Sequence, residues 1–121
     1  MSAISALLLS LTAAIAVIDG DTFDVGDERV RIANIDAPEL HRAKCDAEKR
    51  LAELARKRLE ELLAGDIEIV PGDPGTGRTK DRHGRTLATI KSGGADIGEL
   101  MIAEGLVRPW EGKRRPWCTK D

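Results

Sequence analysis

The 121 residues include no tyrosine, one phenylalanine and two tryptophans. Aromatic rings in that supply cannot build a core, so Ala, Val, Ile and Leu must fill it. A chain of this length is one domain with enough interior to do so. Internal repeats are absent, and no long stretch has the composition of a disordered region. The two cysteines, Cys45 and Cys118, are far apart and fit no zinc spacing. A basic excess is missing as well. Nineteen Lys and Arg stand against 21 Asp and Glu, for a net charge of −2, which excludes a chain that holds nucleic acid by bulk attraction alone.

The amino terminus also lacks something. The run Ala6-Leu7-Leu8-Leu9-Ser10-Leu11 resembles the apolar region of a signal peptide, and small residues at 12–16 offer cleavage positions, yet no Lys or Arg precedes it. Cleavage after Ala16 would remove most of the first strand. The run is too short and too interrupted by Ser and Thr for a membrane span, and none is expected. Export, to a periplasm or the exterior, is favoured over the cytoplasm. In an exported protein Cys45 and Cys118 could pair and pin the carboxyl-terminal tail to the start of a helix; in a cytoplasmic one they would be free thiols. The chain divides into a signal-like segment (1–11), a folded domain (12–107) and a basic tail holding both tryptophans and two prolines (108–121).

Hydrophobic patterning places the elements. Residues 11–18 read as a strand running into Asp19-Gly20-Asp21, and 22–25 continue extended. Gly26-Asp27-Glu28 reverses the chain into a third strand over 29–35, which Pro38 ends. Residues 46–63 form the clearest helix, with Leu51, Leu54, Ala55, Leu59, Leu62 and Leu63 on one face and Gly65 as its stop. Strands follow at 66–70 and 85–91, separated by a polar, Gly-rich loop. Asp96-Ile97-Gly98-Glu99 is a capping box opening a short helix in which Ile97, Leu100 and Met101 share a face, and Gly105 closes it. The order is three strands, a helix, two strands and a helix, an α+β pattern.

Charge is distributed unevenly along this order. Asp19, Asp21, Asp24, Asp27, Glu28, Asp36 and Glu39 face only Arg29 and Arg31 in their stretch, while 78–85 and 106–121 are basic. Acids so crowded need a cation between them or a proton on one. Asp21 and Asp36 lie at the ends of neighbouring strands, and two carboxylates with a backbone carbonyl and waters make a hard oxygen site for Ca²⁺ or Mg²⁺. Taken alone, Asp-Gly-Asp is equally a good turn. Arg31, in mid-strand, and Arg85, at the mouth of a strand, are ordinary surface charges unless acids line their face. A phosphodiester hydrolase needs these parts together: a metal to neutralise an oxygen and position water, guanidinium groups for the phosphate, and a carboxylate beside the water.

The run Val17-Ile18-Asp19-Gly20-Asp21-Thr22, then Val30-Arg31-Ile32, Asp36-Ala37-Pro38-Glu39 and Asp81-Arg82-His83-Gly84-Arg85 with Leu87-Ala88, resembles the staphylococcal nuclease (thermonuclease) family. Ala103-Glu104-Gly105-Leu106-Val107 resembles its later helix and turn, so the likeness spans most of the chain. It implies an OB-fold: a five-stranded β-barrel with one long helix between strands 3 and 4 and a short helix after strand 5. It also implies Ca²⁺-dependent hydrolysis of DNA and RNA, cleaving P–O5′ bonds to leave 3′-phosphates, by a monomer with no stable protein partner.

By motif position, Asp21, Asp36 and the Ala37 carbonyl would bind Ca²⁺, with Asp19 in support. Arg31 and Arg85 would hold the scissile phosphate, and Glu39 would activate water. Arg82 and His83 occupy substrate-binding positions where the family has Lys and Tyr. Ala37 replaces a Thr whose hydroxyl is lost. Trp110 stands near the place of a base-stacking tyrosine and could supply that face, worth about 1–3 kcal/mol per base, or simply plug the end of the barrel. His41 is read as a bystander. The alternative function is a catalytically silent nucleic-acid-binding OB module, and a structural barrel with solvated acids ranks third. Retention of Arg31, Glu39 and Arg85 favours the enzyme.

Overall fold

A computed structural model describes residues 7–9 and 14–119. The elements run β1 (Leu7–Leu9), β2 (Ile15–Asp19), β3 (Thr22–Val25), β4 (Glu28–Ile32), β5 (Ile35–Asp36), α1 (Asp46–Leu62), β6 (Ile67–Pro71), β7 (Thr86–Ser92), β8 (Ala95–Asp96), α2 (Ile97–Ala103) and β9 (Arg108–Pro109). The main sheet has the order β1-β6-β7-β4-β3-β2, with β8 added beside β7. The rest of the signal-like segment lies outside the described residues.

Strand β7 is the spine of the sheet. Thr86 to Ile90 are all buried, and the strand pairs in parallel with β4 and antiparallel with β6. A strand covered on both faces reads as a nearly continuous apolar run. Gly26, with φ of 58°, turns β3 into β4, the left-handed start that a two-residue hairpin of this kind requires. Phe23, the lone phenylalanine, is fully buried among Val30, Ile32, Ile35, Leu59, Ile67, Ile90, Ile97 and Met101. The core is aliphatic, as the shortage of rings requires.

The structure corrects three expectations. Strand 29–35 is broken: β4 stops at Ile32, a turn follows, and Ile35 and Asp36 leave the main sheet to pair with Pro109 and Arg108 of β9. The tail therefore supplies this pair of residues with ladder partners that the main sheet does not. On α1 the buried positions are Glu48, Ala52, Ala55 and Leu59, while Leu54 is 58% exposed. Ala55 packs against the turn after β2, where a Cβ at Gly20 would lie 2.7 Å away, and Leu54, next to it on the helix, is turned outward. On α2, Ile97 and Met101 are buried, but Leu100 is exposed. The capping box is present as expected, with the Asp96 side chain accepting from the Glu99 amide.

The element count also exceeds five strands. Segments β1 and β2 lie at opposite ends of the sheet path, yet only residues 10–14 separate them in sequence.

Candidate active site

A bulge in β2 between Val17 and Asp19 ends that strand and delivers the Asp-Gly-Asp turn to the mouth of the sheet. Asp19 then accepts the Leu40 amide at 3.1 Å. Asp21 is 2% exposed and accepts the Thr22 hydroxyl on Oδ1 and the Ala37 amide on Oδ2, both at 2.9 Å. Gly20 between them is forced by contact: a Cβ there would lie 2.7 Å from Cβ of Ala55 and 3.1 Å from Cβ of Ala37.

Asp36 is 3% exposed, and its Oδ1 is buried without a hydrogen-bond partner. Burial raises its pKa above the ordinary carboxylate value, Arg114 pulls it back, and the neighbouring charge of Asp21 raises it further. Glu39 is raised in the same way, by burial first, with Arg114 opposing and Asp19, Asp21 and Glu48 adding. Among the described residues, no group of three or more His, Cys, Asp or Glu side chains is set to hold a metal ion. A cation here would have to use two carboxylates with backbone oxygen and water. A buried acceptor without a hydrogen bond, beside a second buried acid, fits a hard cation of that kind.

Arg31 is 6% exposed and faces the acids rather than solvent. Its Nη1 donates to the carbonyls of Ile32 and, at 2.8 Å, Ile35, and its Nη2 lies 3.7 Å from Asp21. Trp110 lies against its other face, with the guanidinium carbon 5.4 Å from the ring centre. Much of Arg31's donor capacity is thus committed to the protein framework. Arg85 is held differently. Its Nε donates to Asp81 Oδ2 at 2.6 Å, while Asp81 Oδ1 accepts the amides of His83 and Arg85. Burial works against the Asp81 carboxylate, but these amides and the Arg85 guanidinium outweigh it and lower its pKa. Among the described residues, neither Nη of Arg85 has a hydrogen-bond partner, so the group can take a phosphate oxygen pair.

Arg31 and Arg85 line one cleft of about 690 Å³, with Arg78, Arg82, His83, Trp110, Lys113 and Arg114 along its walls. Arg82 and His83 stand exposed at its edge, and His41 is exposed. Four contributors lie outside the residues that the sequence motifs mark. Buried Glu48 accepts the Glu39 and Lys44 amides at 2.9 Å and so fixes the backbone under Glu39. Its signal was Cys45-Asp46-Ala47-Glu48, a helix start with Glu three residues after the cap. Arg108, Lys113 and Arg114 come from the tail, where basic composition alone did not say which residues turn inward. Cys45 and Cys118 are bonded, with Cα atoms 6.1 Å apart, which holds the tail against the start of α1.

An α+β domain that sets buried acids beside an arginine-lined cleft defines a class of protein suited to phosphate esters. The chain belongs to the staphylococcal nuclease family, whose model, "Staphylococcal nuclease homologue", matches residues 29–120. It is 32% identical over 106 residues to "Micrococcal nuclease" of Shigella flexneri, covering 76% of this chain and 53% of that protein. It is 30% identical over 94 residues to "Succinoglycan biosynthesis protein ExoI" of Rhizobium meliloti (strain 1021), covering 74% of this chain and 47% of that one. The chain spans about half the length of the curated relatives it matches.

Proposed function

We propose that the protein is a Ca²⁺-dependent nuclease that hydrolyses DNA and RNA, cleaving P–O5′ bonds to leave 3′-phosphates. The observation that carries this reading is that Arg31 and Arg114, which line the cleft with Arg85, reach the buried Asp21 and Asp36 at 3.7 and 3.6 Å, in a chain of this family. Asp21, Asp36 and the Ala37 carbonyl would hold the ion. When bound, Ca²⁺ would offset charge on a phosphate oxygen and acidify water. Arg85 offers its free Nη groups to the phosphate, and Arg31 adds positive charge from beneath. Both stabilise negative charge as it builds on the phosphorus oxygens. Glu39, held in place through Glu48, accepts the proton of the attacking water, and its raised pKa suits a base. Trp110, Arg82 and His83 would meet the flanking nucleotides.

Two further readings accompany this one. The sheet path, with β1 and β2 at its two ends, supports a closed OB barrel. The Cys45–Cys118 bond supports residence in an oxidising compartment, periplasmic or secreted. Among the described residues, no helix is long and apolar enough to cross a membrane.

The test is incubation of purified protein with plasmid and single-stranded DNA in Ca²⁺ or EGTA. Cleavage that requires Ca²⁺ and leaves 3′-phosphate ends is expected. Oligonucleotide binding without cleavage in any divalent cation at alkaline pH would instead identify a silent binding module.

A further inference from the structure

The tail lays a positive charge on the two acids at the centre of the site. Arg114 Nη2 is 2.6 Å from Glu39 Oε2, and its Nη1 is 3.6 Å from Asp36 Oδ1, the buried oxygen without a hydrogen bond. Calcium–oxygen bonds of about 2.3–2.6 Å would bring an ion into the space this guanidinium faces. The two positive charges therefore compete for one carboxylate.

The tail is built to keep Arg114 there. Arg108, paired with Asp36 across β9 and β5, donates to the carbonyls of Arg115 and Pro116 and stacks on Trp117 at 3.5 Å. That closes the segment around Arg114 into a loop. Four residues on, Cys118 is bonded to Cys45 at the head of α1. Arg114 itself is different: its side chain is 47% exposed, and its contacts are with the two acids. An ion pair that reaches solvent opens readily, while the tether keeps the arginine near at high effective concentration.

We propose that Arg114 is an intramolecular counterion of Asp36 and Glu39 that a divalent cation must displace, so that Arg114 and the Cys45–Cys118 tether together set the cation affinity of the site. This rests on the reading of Asp21 and Asp36 as cation ligands. Its direction is unusual. Removing a residue that touches a binding site ordinarily weakens binding, whereas removing a competitor strengthens it.

The experiment is calorimetric titration of the full, oxidised chain with Ca²⁺. Arg114→Gln should bind roughly two- to fivefold tighter than the wild type, the range an opening ion pair of this kind allows. Arg114→Lys, which keeps the charge, should stay near the wild-type value. Reducing and alkylating the wild type should tighten binding to a lesser degree, and the same treatment should add nothing to Arg114→Gln, because the two changes act through one group. Equal or weaker Ca²⁺ binding by Arg114→Gln, with wild-type binding intact and circular dichroism unchanged, would overturn the counterion assignment alone. Tightening by Arg114→Lys equal to that of Arg114→Gln would do the same. Absence of Ca²⁺ binding in every form would remove both this assignment and the metal reading beneath it.

Discussion

The amide of Ala37 donates to Oδ2 of Asp21 at 2.9 Å, tying the end of β5 to the turn that follows β2. One acid is thereby oriented by the backbone next to the other, and no side-chain hydroxyl at 37 is needed for that bond. The Ala37 methyl is itself buried, close to where a Cβ of Gly20 would lie. Alanine at this position thus sits where the strand turn, the end of β5 and helix α1 converge on small side chains.

Gly20→Ala tests that convergence. The new methyl would stand 2.7 Å from Cβ of Ala55, which is fixed to a helix backbone and cannot swing away. Overpacking of this kind costs about 1–3 kcal/mol, read as a lower urea midpoint with an unchanged slope. Adding Ala55→Gly should recover part of the loss. A single variant as stable as the wild type would show that the turn and the helix are not in tight contact.

Much of this site was legible in the sequence because its parts are local. Asp19, Gly20 and Asp21 sit in one turn, and Asp81 to Arg85 form one loop whose side chain and amides bond each other. The aliphatic core followed from the scarcity of rings, and α1 from its periodicity. The break after Ile32 was not legible, because Val-Arg-Ile-Ala-Asn-Ile alternates well enough for one strand, and only the distant β9 draws Ile35 and Asp36 away. Leu54 misled because periodicity does not reveal how near a neighbouring turn approaches. Arg114 was hidden for the same reason: among several basic residues in a Pro-containing tail, a disulfide and the Arg108–Trp117 stack select the one that reaches Glu39.

Arg31 and Arg85 should separate when stability and activity are measured together. Arg31→Ala strips a buried cation from two carbonyls and leaves Asp21 without its guanidinium. Breaking a buried pair in this way costs about 3–5 kcal/mol, so its melting point should fall sharply along with any nuclease activity. Arg85→Ala removes a partly exposed pair worth about 0–1 kcal/mol, yet it should lower kcat about 10²–10³-fold, as loss of a charge-stabilising donor does. An Arg85→Ala enzyme with full kcat, or an Arg31→Ala protein with an unchanged melting point, would reverse these assignments.

Asp81 gives the loop that carries Arg85 an acid limit. Its carboxylate accepts two amides and the Arg85 guanidinium, and its pKa in the folded protein lies below the ordinary value. A group depressed on folding contributes stability above its unfolded pKa, near 3.9, and that stability is lost as pH falls through the folded value. Between the two, the unfolded chain binds the proton and the folded chain does not. Asp81→Asn keeps an oxygen for the amides but has no charge, so it should be less stable than the wild type at pH 7 by about 1 kcal/mol. Denaturation curves taken from pH 7 downward should show the two proteins converging below about pH 4, where the wild type loses its advantage. A gap that persists at full size to pH 2 would mean that the loop is held by shape and backbone bonding rather than by the ionised carboxylate.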